Sequence, residues 1–290
     1  MATASDPPAG PALPNGARRF PAIRYRLSII RHDPTRIIGL ILLVPLVYVV
    51  VAPLVSVLVD ALIVHLRDAM PAHQQPGSFT TYYLFRVFFS SVSRLLFWLP
   101  LRNTAIVALG TVVFATVVGG ITAWLLTRTN MPGLKWLATA LVVPYMVPSW
   151  TFALAWLSLF KNARSSGQIG ILEAHGIATP DWLAYGAFPM IVCLGLHYYP
   201  FVLLLFGSAL RRLDSQLEDS ARVLGAGGLT IARKITVPLM LPALSSAVLL
   251  VLGRVLGTFG TPYILGLPTN YSLLSTSLYR SIINGGQGGA

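Results

Sequence analysis

Cysteine and charged residues are both scarce in this chain of 290 residues. Cys193 is the only cysteine, which excludes a disulfide within the chain and a cluster of cysteine metal ligands. Charged residues make up 10% of the chain, against about 25% in ordinary soluble domains. Hydrophobic residues make up 55%. The composition therefore predicts an all-α helical bundle that crosses a membrane several times.

Acidic residues are especially rare, with 9 Asp and Glu against 21 Lys and Arg. All of the acids lie in loops or at the edges of apolar runs. Proton-driven carriers commonly use carboxylates inside the membrane, so an ion-coupled secondary transporter is the disfavoured alternative. The histidines show no ligand-spaced pair on one helix face, which disfavours a membrane enzyme or a metal site. No G-x-x-x-x-G-K-[ST] sequence is present, so ATP would have to be hydrolysed by another chain.

Apolar runs of about 20 residues can cross a bilayer as helices. Five such runs are Ile37–Val59, Thr104–Leu126, Leu137–Phe160, Ala187–Leu210 and a stretch from near Leu239 to about Leu265. Tyr82–Leu99 is rich in aromatic residues and contains Arg86 and Arg94, which is typical of a helix in the membrane interface. In the second run, small residues recur every four positions and predict close helix contact: Thr111, Ala115, Gly119 and Ala123.

The basic residues between these runs predict the orientation. With a cytoplasmic N-terminus, the inner segments hold roughly twice as many Lys and Arg as the outer ones. The net charge of +12 is therefore assigned to topology and to contact with anionic lipid, and no nucleic acid partner is predicted. The predicted organisation is a basic N-terminus (1–36, its first 17 residues disordered), a first span (37–59), an extracytoplasmic segment with an interfacial helix (60–103) and a core (104–290).

A charged segment, residues 211–242, separates the last two runs and is longer than an ordinary connection. Ser215 and Glu218 fit a capping box at the start of a short helix, and Gly225 is the predicted stop. On that helix Leu217, Ala221 and Leu224 are expected to form one apolar stripe, with the charged residues on the other faces.

A second short helix is expected to start near Thr230 and to bend into the membrane at Pro238 and Pro242. Two short helices joined by glycines, with an apolar ridge, would suit docking into a groove of a soluble partner.

The same segment resembles the EAA loop of permease subunits of binding-protein-dependent ABC importers, which have a MetI-like transmembrane domain. In that family Glu-Ala-Ala is followed by three residues, Gly, nine residues, Ile, one residue and Leu-Pro. Counted from Glu218, Gly225 lies seven residues on, Ile235 ten further and Pro238 three beyond. In this alignment Asp219 and Ser220 replace the two alanines, and Val237 replaces the leucine. The residues assigned to the loop are Glu218, Asp219, Ser220, Ala221, Gly225, Ile235, Pro238 and Pro242.

The resemblance extends over most of the chain from Asn103. The stretch from Asn103 to Gly133 is similar to the span and Arg-x-x-x-Pro-Gly turn that open the permease core. GTFGTPYILG, in the fifth run, resembles the ferric-iron branch, in which two permease halves of six spans each are often fused. The expectation is that the natural chain continues beyond Ala290 and that this is part of a first half. Permeases for polyamines, thiamine and phosphonates look similar and remain alternatives.

The resemblance implies a set of partners and no enzymatic activity or cofactor in this chain. A dimer of cytoplasmic ATPase subunits would bind ATP and receive the helix Leu217–Leu224, with Gly225 as its hinge and Glu218 as a polar contact. An extracytoplasmic solute-binding protein would dock on loops such as Lys161–Tyr185. A second permease half, fused or separate, would complete the path in the cell inner membrane.

Ionisable or polar residues inside the runs are the candidates for the translocation path, because they are costly in lipid. Arg254 is expected to face either the path or the second half, with a packing role as the alternative. The neighbouring residues His197, Tyr198 and Tyr199 are path candidates whose alternative is a satisfied core cluster. Pro144, Pro148 and Pro200 either mark broken helices that line the path or are simple kinks.

Overall fold

The computed structural model describes residues 34–64, 75–130, 132–213 and 215–287. Within these ranges the chain is almost entirely helical, and the β-pairing is limited to an isolated bridge between Ile63 and Phe79. The prediction of an all-α membrane bundle is confirmed. The first 17 residues, predicted to be disordered, lie outside the described ranges.

The chain divides into two compact units between Leu84 and Phe85. The first unit contains helix α1, Pro34–Asp60, of which Ile41–Asp60 is long and apolar enough to cross a membrane. This confirms a span in the first apolar run. Nearly all of its described side chains are exposed around the whole helix, as expected of a helix that meets lipid or another chain.

The predicted interfacial segment Tyr82–Leu99 is not one helix. Helix α2, Tyr82–Phe89, ends where the hydroxyl groups of Ser90 and Ser93 donate to the carbonyl of Arg86. A π-helical turn, Arg94–Trp98, then leads directly into helix α3, Leu99–Arg128, so that Arg94–Arg128 is one apolar helix of 35 residues. The residues from Arg94 onward therefore belong to the second span.

The third apolar run is broken rather than straight. It consists of α4 (Leu134–Ala140), α5 (Val143–Met146) and α6 (Ser149–Phe160). The axis turns by 92° between Met146 and Ser149. Val147 is extended immediately before Pro148, because the proline ring disfavours the helical conformation of the preceding residue.

Three short helices follow in the loop after α6: α7 (Ala163–Ser166), α8 (Ile171–Ala174) and α9 (Asp181–Ala184). The buried side chain of Asn162 joins α7 to α9. Its Nδ2 donates to the carbonyl of Thr179 at 2.9 Å and to Oδ1 of Asp181 at 2.8 Å, while its Oδ1 accepts from the backbone N–H of Ser165. Oε2 of Glu173 in α8 accepts from the backbone N–H of Ala163 in α7 at 2.8 Å. The loop therefore has a defined shape.

Helix α10, Ala187–Arg212, lies at the centre of the second unit and packs along α3. Pro200 lies inside this helix, which continues through it. All members of the predicted small-residue seam of α3 are buried, which confirms the seam. At Gly119 the helices are so close that an added Cβ would lie 2.7 Å from both the Tyr199 carbonyl oxygen and the Cβ of Val202.

The last part of the chain contains five helices. They are α11 (Ser215–Val223), α12 (Gly228–Ile231), α13 (Val237–Leu256), α14 (Gly260–Gly266) and α15 (Leu274–Gln287). A π-helical turn, Ala232–Thr236, joins α12 to α13, so that Gly228–Leu256 forms one helix of 29 residues.

The fifth apolar run therefore does not form a single helix to Leu265. Helix α13 ends before Gly257, and Pro262 in α14 has no N–H to offer to the carbonyl of Thr258 four residues back. That carbonyl instead accepts a hydrogen bond from the hydroxyl of Ser275. The break between α13 and α14 is thus compensated by a side chain from α15.

Both π-helical turns have the same relation to a proline. The N–H of Leu99 donates to the Arg94 carbonyl just before Pro100, and the N–H of Val237 donates to the Ala232 carbonyl just before Pro238. A proline ring inside an α-helix clashes with the carbonyl four residues earlier. The wider turn relieves that clash, so each long helix continues through its proline without a break.

Gly119 and Gly120 allow a matched test of the α3–α10 contact. We expect Gly119→Ala to cost about 1–3 kcal/mol through overpacking against α10. Gly120→Ala should not destabilise the protein, because nothing lies within 4 Å of the added Cβ. Thermal unfolding of the detergent-solubilised variants measures the difference. Equal melting temperatures would contradict the close contact.

Candidate functional site

Helix α11 ends in a Schellman motif at Gly225. The N–H of Ala226 donates to the Ala221 carbonyl at 3.0 Å, and the N–H of Gly225 donates to the Arg222 carbonyl at 2.9 Å. Gly225 has a φ of 86°, in the left-handed region that side chains disfavour. The predicted helix stop is confirmed.

Large apolar side chains are exposed on this part of the molecule. Val223 and Leu224 are each 87% exposed, Leu229 is 84% exposed, and Leu217 is half exposed. The predicted apolar stripe differs from the observed one. Ala221 is half-buried, whereas Val223 and Leu229, which were not predicted, are exposed. We call the four exposed side chains the apolar face of the loop. Several large apolar groups exposed within residues 217–229 are typical of a segment that another molecule covers.

Glu218 does not lie on a charged outer face, as the sequence had suggested. Its side chain is buried, and its Oε1 accepts from Nη2 of Arg128 at 2.9 Å and from the hydroxyl of Thr236 at 2.9 Å. Ser215 is the first residue of α11, and the predicted capping box stays a prediction. Glu218 instead connects α11 to α3 and to the π-helical turn before α13.

The second short helix begins at Gly228 rather than near Thr230. Gly227 before it is extended, with φ −70° and ψ 156°. Ile235 lies half-buried in the π-helical turn, and Pro238 and Pro242 lie within the continuous helix. The predicted bend at these prolines is therefore replaced by the widened turn that precedes them.

The candidate path residues occupy two environments. His197, Tyr198 and Tyr199 are buried and bonded within the chain. His197 Nδ1 lies 3.2 Å from the Pro144 carbonyl, and the Tyr199 hydroxyl donates to the Leu141 carbonyl at 2.6 Å. These two contacts join α10 to the broken third run.

Arg254 is placed differently, on the surface of α13. Its Cζ lies 5.7 Å from the centre of the Phe201 ring, a distance typical of a cation–π contact. Its carbonyl accepts from the hydroxyl of Thr258, which also lies 2.7 Å from the Tyr198 hydroxyl. Arg254 is therefore held against α10 while its side chain remains exposed.

Among the described residues, no group of three His, Cys, Asp or Glu side chains is placed to hold a metal ion. Both acidic side chains described in the loop form ion pairs. Glu218 bonds Arg128, and Asp219 lies 3.4 Å from Arg222. Residues 215–242 thus form a short helical segment that exposes large apolar side chains and bonds to α3 and to the turn before α13 through Glu218.

Comparison with known proteins decides the family. Residues 115–290 match the model of the binding-protein-dependent transport system inner membrane component. The chain belongs to this family. Together with the membrane-length helices, this makes it a multi-pass protein of the inner membrane.

Similar proteins include permeases with named systems. The sulfate transport system permease protein CysT of Salmonella typhimurium is 31% identical over 159 residues, which are 55% of each chain. The molybdenum transport system permease protein ModB of Escherichia coli is 29% identical over 184 residues, 62% of this chain and 77% of the relative. The chain thus spans about half the length of the sulfate permeases it matches.

A solved structure supports the fold. A bacterial ABC transporter involved in the import of the acidic polysaccharide alginate matches with a TM-score of 0.58 at 19% identity, over 86% of this chain and 89% of the other.

The family pattern also corrects the sequence alignment of the loop. Its acidic residue lies six positions before the glycine, and in this chain that position is Asp219, followed by Ser220 and Ala221. Asp219 is exposed, whereas Glu218 is buried. Sequence reasoning did not identify Arg128 and Thr236 as partners of Glu218. Arg128 was nevertheless visible as the first residue of the Arg-x-x-x-Pro-Gly turn.

Gly225 and Gly227 form a matched pair for testing the helix stop. An added Cβ meets open space at both positions, and the left-handed φ distinguishes Gly225. We expect Gly225→Ala to cost about 1–2 kcal/mol of local stability, whereas Gly227→Ala should be neutral or slightly stabilising. Hydrogen exchange of residues 215–226 measures both. Faster exchange in Gly227→Ala than in Gly225→Ala would contradict the assignment.

Proposed function

We propose that the chain is a permease subunit of an ATP-driven importer, which moves a solute delivered by an extracytoplasmic binding protein across the inner membrane. The apolar face of the loop, between two long helices and inside the family match, is the observation that carries this proposal. ATP is bound and hydrolysed by a dimer of separate cytoplasmic subunits. Each subunit receives one α11 helix in a groove, as helices with an exposed apolar face are commonly bound.

The opposite end of the bundle receives the binding protein. The loop of α7–α9 is given a defined shape by Asn162 and exposes apolar side chains, among them Ile177 and Trp182. A structure of the alginate transporter in complex with its periplasmic protein supports this kind of partner. A rigid, partly apolar surface suits a transient protein contact, because little conformational freedom is lost on binding.

A second permease half completes the translocation path, and Arg254 faces it. An exposed guanidinium on an apolar helix is unfavourable in lipid, so it is expected to meet a cavity or another protein. His197, Tyr198 and Tyr199 support this surface from behind through their bonds to neighbouring helices.

We propose an inorganic oxyanion as the cargo. The named relatives belong to sulfate and molybdenum transport systems, and a cationic Arg254 in a span that contains no carboxylate suits an anion. Ferric iron, which the GTFGTPYILG motif indicated, stays a prediction as the second candidate.

The first test concerns the apolar face of the loop. Leu224→Asp should abolish co-purification of the ATPase subunit, because a carboxylate cannot enter an apolar groove without a large desolvation cost. Ile177→Asp, which places the same charge at an exposed apolar site in the α7–α9 loop, should leave the ATPase bound. Membrane insertion of both variants is the control. Retention of the ATPase by Leu224→Asp at the wild-type level would overturn the proposed docking.

The second test concerns the cargo. Proteoliposomes with the complete importer should accumulate radiolabelled sulfate or molybdate in an ATP-dependent manner. Arg254→Gln should reduce that uptake by about tenfold through loss of a charged hydrogen-bond donor, and Arg254→Lys should retain part of it. ATPase co-purification should not change. Uptake of ferric iron but of neither anion would replace the oxyanion by the second candidate.

A further inference from the structure

One carboxylate oxygen bonds α11 to two other helical elements. Glu218 is the one buried side chain among those described in this helix, and Ala221 is half-buried while the others are exposed. Oε1 of Glu218 accepts from Arg128, the last residue of α3, and from Thr236, the last residue before α13. Three helical elements therefore meet at one atom.

The charges at this contact agree with the helix dipoles. Arg128 stands at the C-terminus of α3, where a cation is favoured, and Glu218 stands in the first turn of α11, where an anion is favoured. Their side chains are 20% and 6% exposed, so water screens the pair only weakly. Asp219 and Arg222 form the opposite case, since both are more than 60% exposed and lie 3.4 Å apart. An exposed pair of that kind contributes little.

The backbone offers a less direct connection. Leu213 is extended before α11, and Gly225 and Gly227 are non-helical after it. Turns of this kind can change their dihedral angles without moving the helices that they join. A displacement of α11 is therefore passed on most directly through the side-chain contact, to α3 and from there to α10, which packs along it.

We propose that the contact between Arg128, Glu218 and Thr236 is the strut that transmits movement of α11 to the membrane helices. This inference rests on the proposed importer function and assigns Arg128 as a positioning residue that acts through Glu218. Because the Glu218 carboxylate is directed into the chain, it takes part in the strut and does not contact the ATPase. The apolar face of the loop and Asp219 contact the ATPase. The strut stays closed while the ATPase opens and closes.

The experiment uses the complete importer in proteoliposomes and compares Arg128→Gln, Glu218→Gln and Thr236→Val. Arg222→Gln, which breaks the exposed pair on the same helix, is the matched control. Three quantities are measured: ATPase co-purification, ATP hydrolysis, and uptake of whichever probe the wild type accepts among labelled sulfate, molybdate and ferric iron. The ratio of uptake to hydrolysis reports coupling, which a purely structural role would not change selectively.

We expect Arg128→Gln and Glu218→Gln to retain the ATPase and its hydrolysis, while uptake per ATP falls about tenfold, within the usual range of coupling between sites. Thr236→Val, which removes one neutral donor, should lower the ratio by about fivefold or less. Hydrogen exchange of residues 215–224 should rise by about tenfold or more in the two charge variants. Arg222→Gln should match the wild type in every measurement.

A charge-reversed pair, Arg128→Glu with Glu218→Arg, separates the strut from a general loss of structure. The double variant should show more uptake per ATP than either reversed single variant, because the opposite charges meet again and the Thr236 hydroxyl can accept from a guanidinium. Wild-type coupling in Arg128→Gln and Glu218→Gln would overturn the strut. Loss of the ATPase in those variants would also overturn it, by assigning the pair to docking. Failure of the wild type to bind an ATPase would instead overturn the proposed function itself.

Discussion

The close packing of α3 against α10 is the contact on which the second unit depends. It requires glycine at position 119, where any side chain would meet the backbone of α10. In a lipid environment the hydrophobic effect does not hold helices together, so dense van der Waals packing has to do so. Because α3 is fixed along α10 in this way, its last residue, Arg128, is held where it bonds Glu218 of α11. The position of this bond is thus set by a contact more than two helical turns away.

Proline acts in this structure as a positional signal with more than one outcome. Pro100 and Pro238 follow widened turns and leave their helices continuous. Pro148 follows an extended residue and precedes α6, within a break at which the helix axis turns by 92°. Whether the helix continues or breaks depends on the space for the proline ring and on a partner for the carbonyl four residues earlier. The neighbouring helices determine both. A proline in an apolar run therefore indicates a special position but does not by itself indicate a kink.

Because charged residues are scarce in this chain, the surroundings of Arg254 and Glu218 are informative about its contacts. Arg254 stays exposed on an otherwise apolar helix, and Glu218 is buried with its partner supplied by the end of α3. The energetic reasons are opposite. The side chain of Arg254 is not enclosed by the described residues, whereas the cost of burying Glu218 is offset by Arg128, Thr236 and two helix ends. Glu218 thus marks a connection within the chain, and Arg254 is the charge that the proposed second permease half would meet.

The sequence by itself determined the membrane class, the apolar runs, the small-residue seam and the helix stop at Gly225, because these follow from local composition, spacing and the dihedral freedom of glycine. It did not determine that Arg94–Trp98 joins α3, that α13 ends at Leu256, or that Glu218 faces inward. The last two depend on a partner distant in sequence, which is Ser275 for the carbonyl of Thr258 and Arg128 for Glu218. Spacing along a helix places a side chain on a face, but only the tertiary structure decides what that face meets.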